Sequence, residues 1–90
     1  MITLEQTEII INNFVADILE NGNDDALFAS GYLQGHLDLI LQGCLQAQES
    51  FEQFMMLMEQ SLGNAYAKNE LNPIDRVLVE QCWSRLKSLF

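Results

Sequence analysis

Apolar side chains recur every three or four residues in four stretches separated by short polar links, a spacing typical of amphipathic helices. The first stretch predicts a helix over residues 4–20. Its apolar face consists of Leu4, Ile11, Phe14, Val15 and Ile18. Thr3 and Gln6 match a capping box at the start of this helix. Its end is predicted at Asn21-Gly22-Asn23, where Gly22 would act as a left-handed terminator.

The second stretch predicts a helix over about residues 25–45 that begins at Asp24 or Asp25. An aspartate there can cap the first free amides, and both charges suit the positive end of a helix. At about 100° per residue, its apolar positions fill an arc of roughly half the circumference. The members of this arc are Phe28, Leu39, Tyr32, His36, Ala29, Ile40, Leu33, Ala26, Cys44 and Leu37. Polar residues predicted on the opposite side are Ser30, Gln34, Asp38 and Gln42. So wide an arc predicts that two neighbouring helices pack against this one.

Two further stretches predict helices over residues 50–68 and 73–89. Ser50 and Gln53 repeat the capping-box pattern, and Asn72 with Pro73 matches a helix start. The apolar stripe of the third helix is Phe51, Met55, Met58, Leu62 and Ala65. The fourth helix has one apolar face of Ile74, Val77, Leu78, Cys82, Leu86 and Leu89, and a second of Val79, Trp83 and Phe90. Four helices joined by short links predict an all-α, up-down four-helix bundle forming one domain over residues 1–90.

The distribution of charge is uneven along the chain. The net charge is −9, and no Lys or Arg occurs before Lys68. A surface this acidic repels phosphate, which argues against binding to nucleic acid or to an anionic membrane. A basic protein partner is compatible with it. The acidic residues could instead serve only to keep the surface solvated.

The compartment is predicted from the start of the chain and from the cysteines. The first residues carry no basic leader, and the apolar runs are only a few residues long, so neither a signal peptide nor a membrane span is expected. Cys44 and Cys82 are widely spaced and fall outside any Cys-x-x-Cys pattern. They are expected to be reduced thiols in a cytoplasmic protein.

Two glycines inside the second predicted helix require an explanation, because each costs roughly 0.5–1 kcal/mol relative to alanine. Gly31 and Gly35 form a Gly-x-x-x-Gly pattern that predicts a notch where another helix crosses closely, or less directly a ligand. Tyr32 and His36 lie one helical turn apart and should touch. A histidine at this position is interpreted as a hydrogen-bonded core residue, with a general base or a metal ligand as the alternative.

No catalytic constellation, metal-ligand spacing or cofactor motif emerges from these residues. Met55 and Met58 fit the core stripe of the third helix, whereas Met56 lies off it and could contact a partner. The positions with the best claim to contact a ligand or partner are Phe28, Gly31, Tyr32, Gly35, His36 and Met56.

The block Asp24–Leu37, with Leu27-Phe28-Ala29-Ser30-Gly31-Tyr32-Leu33 followed by Gly35-His36-Leu37, resembles the YfcL family of small bacterial cytosolic proteins. The likeness continues through Gln60-Ser61-Leu62 and Glu70-Leu71-Asn72-Pro73-Ile74-Asp75 to Trp83, and so spans about residues 20–85. The resemblance implies an all-helical domain. It implies no activity and supplies no catalytic residue.

The function favoured by these observations is that of a non-catalytic, acidic helical module that binds a protein partner, which the charge allows to be basic. The alternative is a bundle that binds a small ligand or metal around Tyr32, His36 and Cys82. The surplus of apolar faces also favours a homodimer, whose association should tighten with added salt.

Overall fold

The structure, a computed structural model, describes residues 2–90. Within this range the chain forms four helices: α1 (Leu4–Asn21), α2 (Asp24–Gln46), α3 (Phe51–Ala67) and α4 (Pro73–Lys87). They form an all-α four-helix bundle, as the periodicity predicts. The predicted boundaries hold to within one or two residues, and the fourth helix ends at Lys87 rather than at 89.

The helix α2 is the centre of the bundle. It packs along α1, α3 and α4, most extensively along α4, whereas the other pairs of helices touch only slightly. In a square bundle α2 and α4 would lie on a diagonal, so their close contact flattens the arrangement. The Cα atoms accordingly span 35 × 31 × 19 Å. A consequence is that α1 and α4 remain loosely packed against each other.

The buried side of α2 is narrower than predicted and points in a different direction. Its buried residues are Ala29, Ser30, Leu33, Leu37, Leu41 and Cys44. Phe28 is 41% exposed and Leu39 is 78% exposed, so placing both in a packed arc was wrong. Ser30, predicted on the polar side, is buried. Its hydroxyl donates to the Leu27 carbonyl at 3.2 Å and so needs no partner outside the helix.

On α4 the prediction of the core face was partly wrong. Val79, Cys82, Trp83 and Leu86 are buried. Ile74, Val77 and Leu89 are instead 75%, 49% and 53% exposed. At the far end of α4, Phe90 packs edge-on against Phe51 with ring centroids 5.5 Å apart and so closes one end of the core.

Local chemistry sets the helix ends. The Thr3–Gln6 capping box forms, and the side chains of Asn23, Ser50 and Asn72 cap the other three helices. The cap of α2 is therefore Asn23 and not an aspartate. Gly22 was predicted to be left-handed, but its φ is −80°. Left-handed residues are found instead at Gln48 and Asn69, both with φ of 56°.

The glycines of α2 have space around them. A Cβ built on Gly31, Gly35 or Gly43 meets no atom within 4 Å, so no neighbouring helix of the chain approaches them. The predicted close crossing of helices at Gly31 and Gly35 is therefore wrong for the packing of this chain on itself. Gly22 differs, because a Cβ there would lie 2.6 Å from the Ile18 carbonyl oxygen.

We expect Gly35→Ala to raise the free energy of unfolding by about 0.5–1 kcal/mol, because the methyl group meets open space and restricts the unfolded chain. Gly63→Ala, on an equally open position of α3, should do the same. Gly22→Ala should destabilise the fold, because the added Cβ would clash with the backbone carbonyl of Ile18. Urea denaturation of the three variants checks this, and a destabilised Gly35→Ala protein would contradict the open surroundings of Gly35.

Candidate functional site

The outward side of α2 carries an unusual surface, which we call the glycine face: Phe28, Gly31, Gly35, Leu39 and Gly43. These residues follow one another at three- or four-residue spacing and therefore share one side of the helix. The three glycines expose the backbone, and Leu39 projects from between them with 78% of its surface exposed. Because nothing in residues 2–90 packs over it, this stretch of helix backbone is open to close approach.

Tyr32 and His36 border the glycine face on the side of α3. Their rings lie 5.2 Å apart, as the one-turn spacing predicts. The Tyr32 hydroxyl donates to Glu70 Oε1 at 3.1 Å, and His36 Nδ1 lies 2.7 Å from Ser61 Oγ. Both side chains are only partly buried, so the interpretation of His36 as a residue inside the core was wrong in its degree of burial. The contact of Tyr32 ties α2 to the link between α3 and α4, and the contact of His36 ties α2 to α3.

The contact between Ser61 and His36 joins a hydroxyl to a base, the pairing from which serine nucleophiles are built. In nucleophilic sites a third group orients the base. Here the only side-chain partner of His36 within residues 2–90 is Ser61, and Glu70 accepts from Tyr32. The two contacts form a polar seam that fixes both rings at the edge of the glycine face.

The Tyr32 hydroxyl has a raised pKa and keeps its proton to high pH. Burial, and then the hydrogen bond to Glu70, raise the pKa of Tyr32 to about 12. The phenol therefore stays protonated at neutral pH and serves as a donor. Burial also raises the pKa of the Cys44 and Cys82 thiols, which keeps both cysteines in the less reactive thiol form.

Acidic side chains surround the glycine face. Asp24 and Asp38 are exposed on α2 itself, and Glu70 lies beside Tyr32. The helices α1, α2 and α3 carry no Lys or Arg. In the part of the chain that the structure describes, only two of the thirteen acidic residues, Glu59 and Glu80, have a basic side chain within 4 Å. Within residues 2–90, the acidic side chains of α2 consequently have no basic partner at ion-pair distance.

Two predicted site residues lie elsewhere. Met56 is 52% exposed on α3, two positions from the fully buried Met58, so it lies on the far side of α3 from the core. Cys82 lines a cleft with Ile18, Ala26, Ala29 and Leu78, to which neither Tyr32 nor His36 contributes. Within residues 2–90, no group of three or more His, Cys, Asp or Glu side chains is arranged to hold a metal ion.

Ser61 and Glu70 are the residues of this site that sequence reasoning missed. The antiparallel pairing of α2 and α3 could have pointed to Ser61. His36 precedes Gln48, in the connecting loop, by twelve residues, and Ser61 follows it by thirteen. Positions equally distant from such a loop face each other across two antiparallel helices.

None of the helices that the structure describes is long and apolar enough to cross a membrane. The sequence model of the family described as YfcL protein matches residues 5–88. A curated relative from Escherichia coli (strain K12), named "Uncharacterized protein YfcL", is 37% identical over 70 residues, which cover 77% of this chain and 76% of the relative. No solved structure matches the chain significantly.

We expect Tyr32 to ionise late in an absorbance titration at 295 nm, with a midpoint near pH 12. Free tyrosine ionises at about pH 10. Between these values the native protein holds a proton that the unfolded chain has lost, so the free energy of unfolding should fall as the pH rises through this window.

The variant Tyr32→Phe should lose the late absorbance step, and its stability should fall less steeply with pH. Tyr66→Phe is the comparison variant: it removes the other tyrosine, whose pKa burial also raises, and leaves the bond between Tyr32 and Glu70 in place. The absorbance step near pH 12 should persist in Tyr66→Phe. Equal slopes for the wild-type protein and Tyr32→Phe would show that the phenol is not held protonated by the fold.

Proposed function

The chain belongs to the YfcL family, and we propose that it is a non-catalytic interaction module whose glycine face binds a basic helical segment of another protein. We further propose that it acts in the bacterial cytoplasm, which its two unpaired, buried thiols and its similarity to an E. coli protein support.

The observation that carries this proposal is the exposure of three glycines on one side of α2. Each costs helix stability, and none is needed to make room for a neighbouring helix of the chain. Small residues let two helix backbones approach closely, which brings many atoms into contact over a short length. The exposed Phe28 and Leu39 supply the apolar anchors for such a contact.

Charge specifies the chemistry of the partner. Asp24, Asp38 and Glu70 border the face without a basic neighbour within 4 Å in the described chain. Basic side chains flanking the apolar side of a partner helix would pair with them and accelerate its association. Tyr32 and His36 offer aromatic surface at the rim, on which a Lys or Arg stem can lie.

A second copy of this chain is the competing occupant. In a symmetric dimer formed through α2, the same surface meets itself, so each acidic rim would face another. Like charges in contact are costly and are not fully removed by salt, because the contact lies within the Debye length of roughly 8 Å. Charge repulsion thus favours a basic partner over the homodimer that the apolar surplus predicts.

We expect a photo-crosslinking residue placed at position 39 in bacterial cells to capture a basic protein, because Leu39 is the most exposed anchor of the face. The matched control is position 19 on α1, where Leu19 is 70% exposed but lies outside the glycine face. Crosslinked products are identified by mass spectrometry. Capture at 39 and not at 19 is the expected result.

Binding of the captured protein is then measured in purified form at low and high salt. Gly35→Leu should weaken it at least tenfold by blocking close approach, whereas Gly63→Leu, equally open on α3, should leave it unchanged. The pair Asp24→Asn and Asp38→Asn should flatten the salt dependence. Crosslinks only to a second copy, or equal capture at positions 19 and 39, would overturn the proposal.

A further inference from the structure

The loose packing of α1 against α4 leaves a groove on a different side of the molecule from the glycine face. Its main hollow has a volume of about 520 Å³, within the range of small-molecule sites. The lining residues are Ile10, Asn13, Phe14, Asp17, Arg85, Ser88 and Leu89. Ile10, Phe14 and Leu89 give it an apolar wall, and the other four give it polar groups.

Asp17 and Arg85 occupy a special place in this groove. They line both the main hollow and an adjoining hollow of about 250 Å³ near Asn21 and Gly22. Although they share the groove, no nitrogen of Arg85 lies within 4 Å of an Asp17 oxygen, because ion pairs at that distance in residues 2–90 involve only Arg76 and Lys87. Asp17 and Arg85 thus line the same two hollows without forming an ion pair with each other.

The remaining contacts leave both charges available. The Arg85 guanidinium lies 5.8 Å from the centre of the Phe14 ring, and within the described chain it forms no ion pair. Asp17 accepts a bond from Asn21 through Oδ1 at 3.0 Å, which leaves Oδ2 without a bonded donor. A carboxylate can pair with the fork of Arg85, and an ammonium group can pair with Asp17.

We propose that this groove binds a small apolar zwitterion of the amino-acid type, as a function separate from partner binding at the glycine face. Its carboxylate lies on Arg85, its ammonium group on Asp17, and its apolar side chain against Phe14, Ile10 and Leu89. An apolar anion pairs with Arg85 but is repelled by Asp17. An apolar cation pairs with Asp17 but is repelled by Arg85. Only a ligand with both charges matches both side chains.

The test titrates the full chain, labelled with ¹⁵N, with L-phenylalanine and follows amide shifts by NMR. The comparison ligands are 3-phenylpropionate, which lacks the ammonium group, and phenethylamine, which lacks the carboxylate. We expect L-phenylalanine to shift amides of residues 10–17 and 85–89, and each comparison ligand to bind at least tenfold more weakly.

The variants Arg85→Gln and Asp17→Asn should each lower the affinity for L-phenylalanine at least tenfold, whereas Arg76→Gln, which alters a cation outside the groove, should not. The comparison of the three ligands on the wild-type protein tests the proposal even if Arg85→Gln destabilises the fold. Equal binding of the three ligands, shifts centred elsewhere, or no shifts up to the solubility limit of L-phenylalanine would overturn the proposal.

Discussion

Burial of one narrow stripe along α2 is the constraint on which the other features of the molecule depend. Leu33 and Leu37 are 1% exposed, and they contribute to the one helix that packs along all three others. Because three helices must share this stripe, they crowd onto the inner side of α2 and leave its outer side bare. The open glycine face and the loose junction of α1 and α4 are both consequences of that central position.

The same arrangement explains why the acidic charge remains unbalanced. The chain has four basic residues, and three of them, Arg76, Arg85 and Lys87, lie on α4 within 6 Å of an aromatic ring centre. Lys87 also pairs with Glu59, which accepts from Trp83, so this cation links α3 to α4. Arg76 and Lys87 thus contribute to the packing of α4, and the acids around α2 are left for solvent or for a partner.

The sequence predicted the features that depend on neighbouring residues and failed where distant contacts decide. The Thr3–Gln6 capping box could be predicted, because a cap is a bond between residues three apart. The buried side of α2 could not be predicted, because apolar side chains such as Leu39 also lie outside the buried stripe. The spacing of apolar residues therefore does not show which side of the helix is buried. Only the positions of α1, α3 and α4 decide which side is covered. For the same reason Glu70, 38 residues from Tyr32, was missed.

The glycine face has a cost that the isolated fold does not recover. Three exposed helical glycines together cost roughly 1.5–3 kcal/mol relative to alanine, a sizeable share of the roughly 5–15 kcal/mol that holds a typical domain together. Packing within the chain does not offset this loss of stability, because a Cβ at Gly31, Gly35 or Gly43 meets only open space. A helix that lies directly on this backbone would recover the cost through close contact. Stability of the free chain and affinity for such a helix should therefore change in opposite directions whenever these glycines are filled.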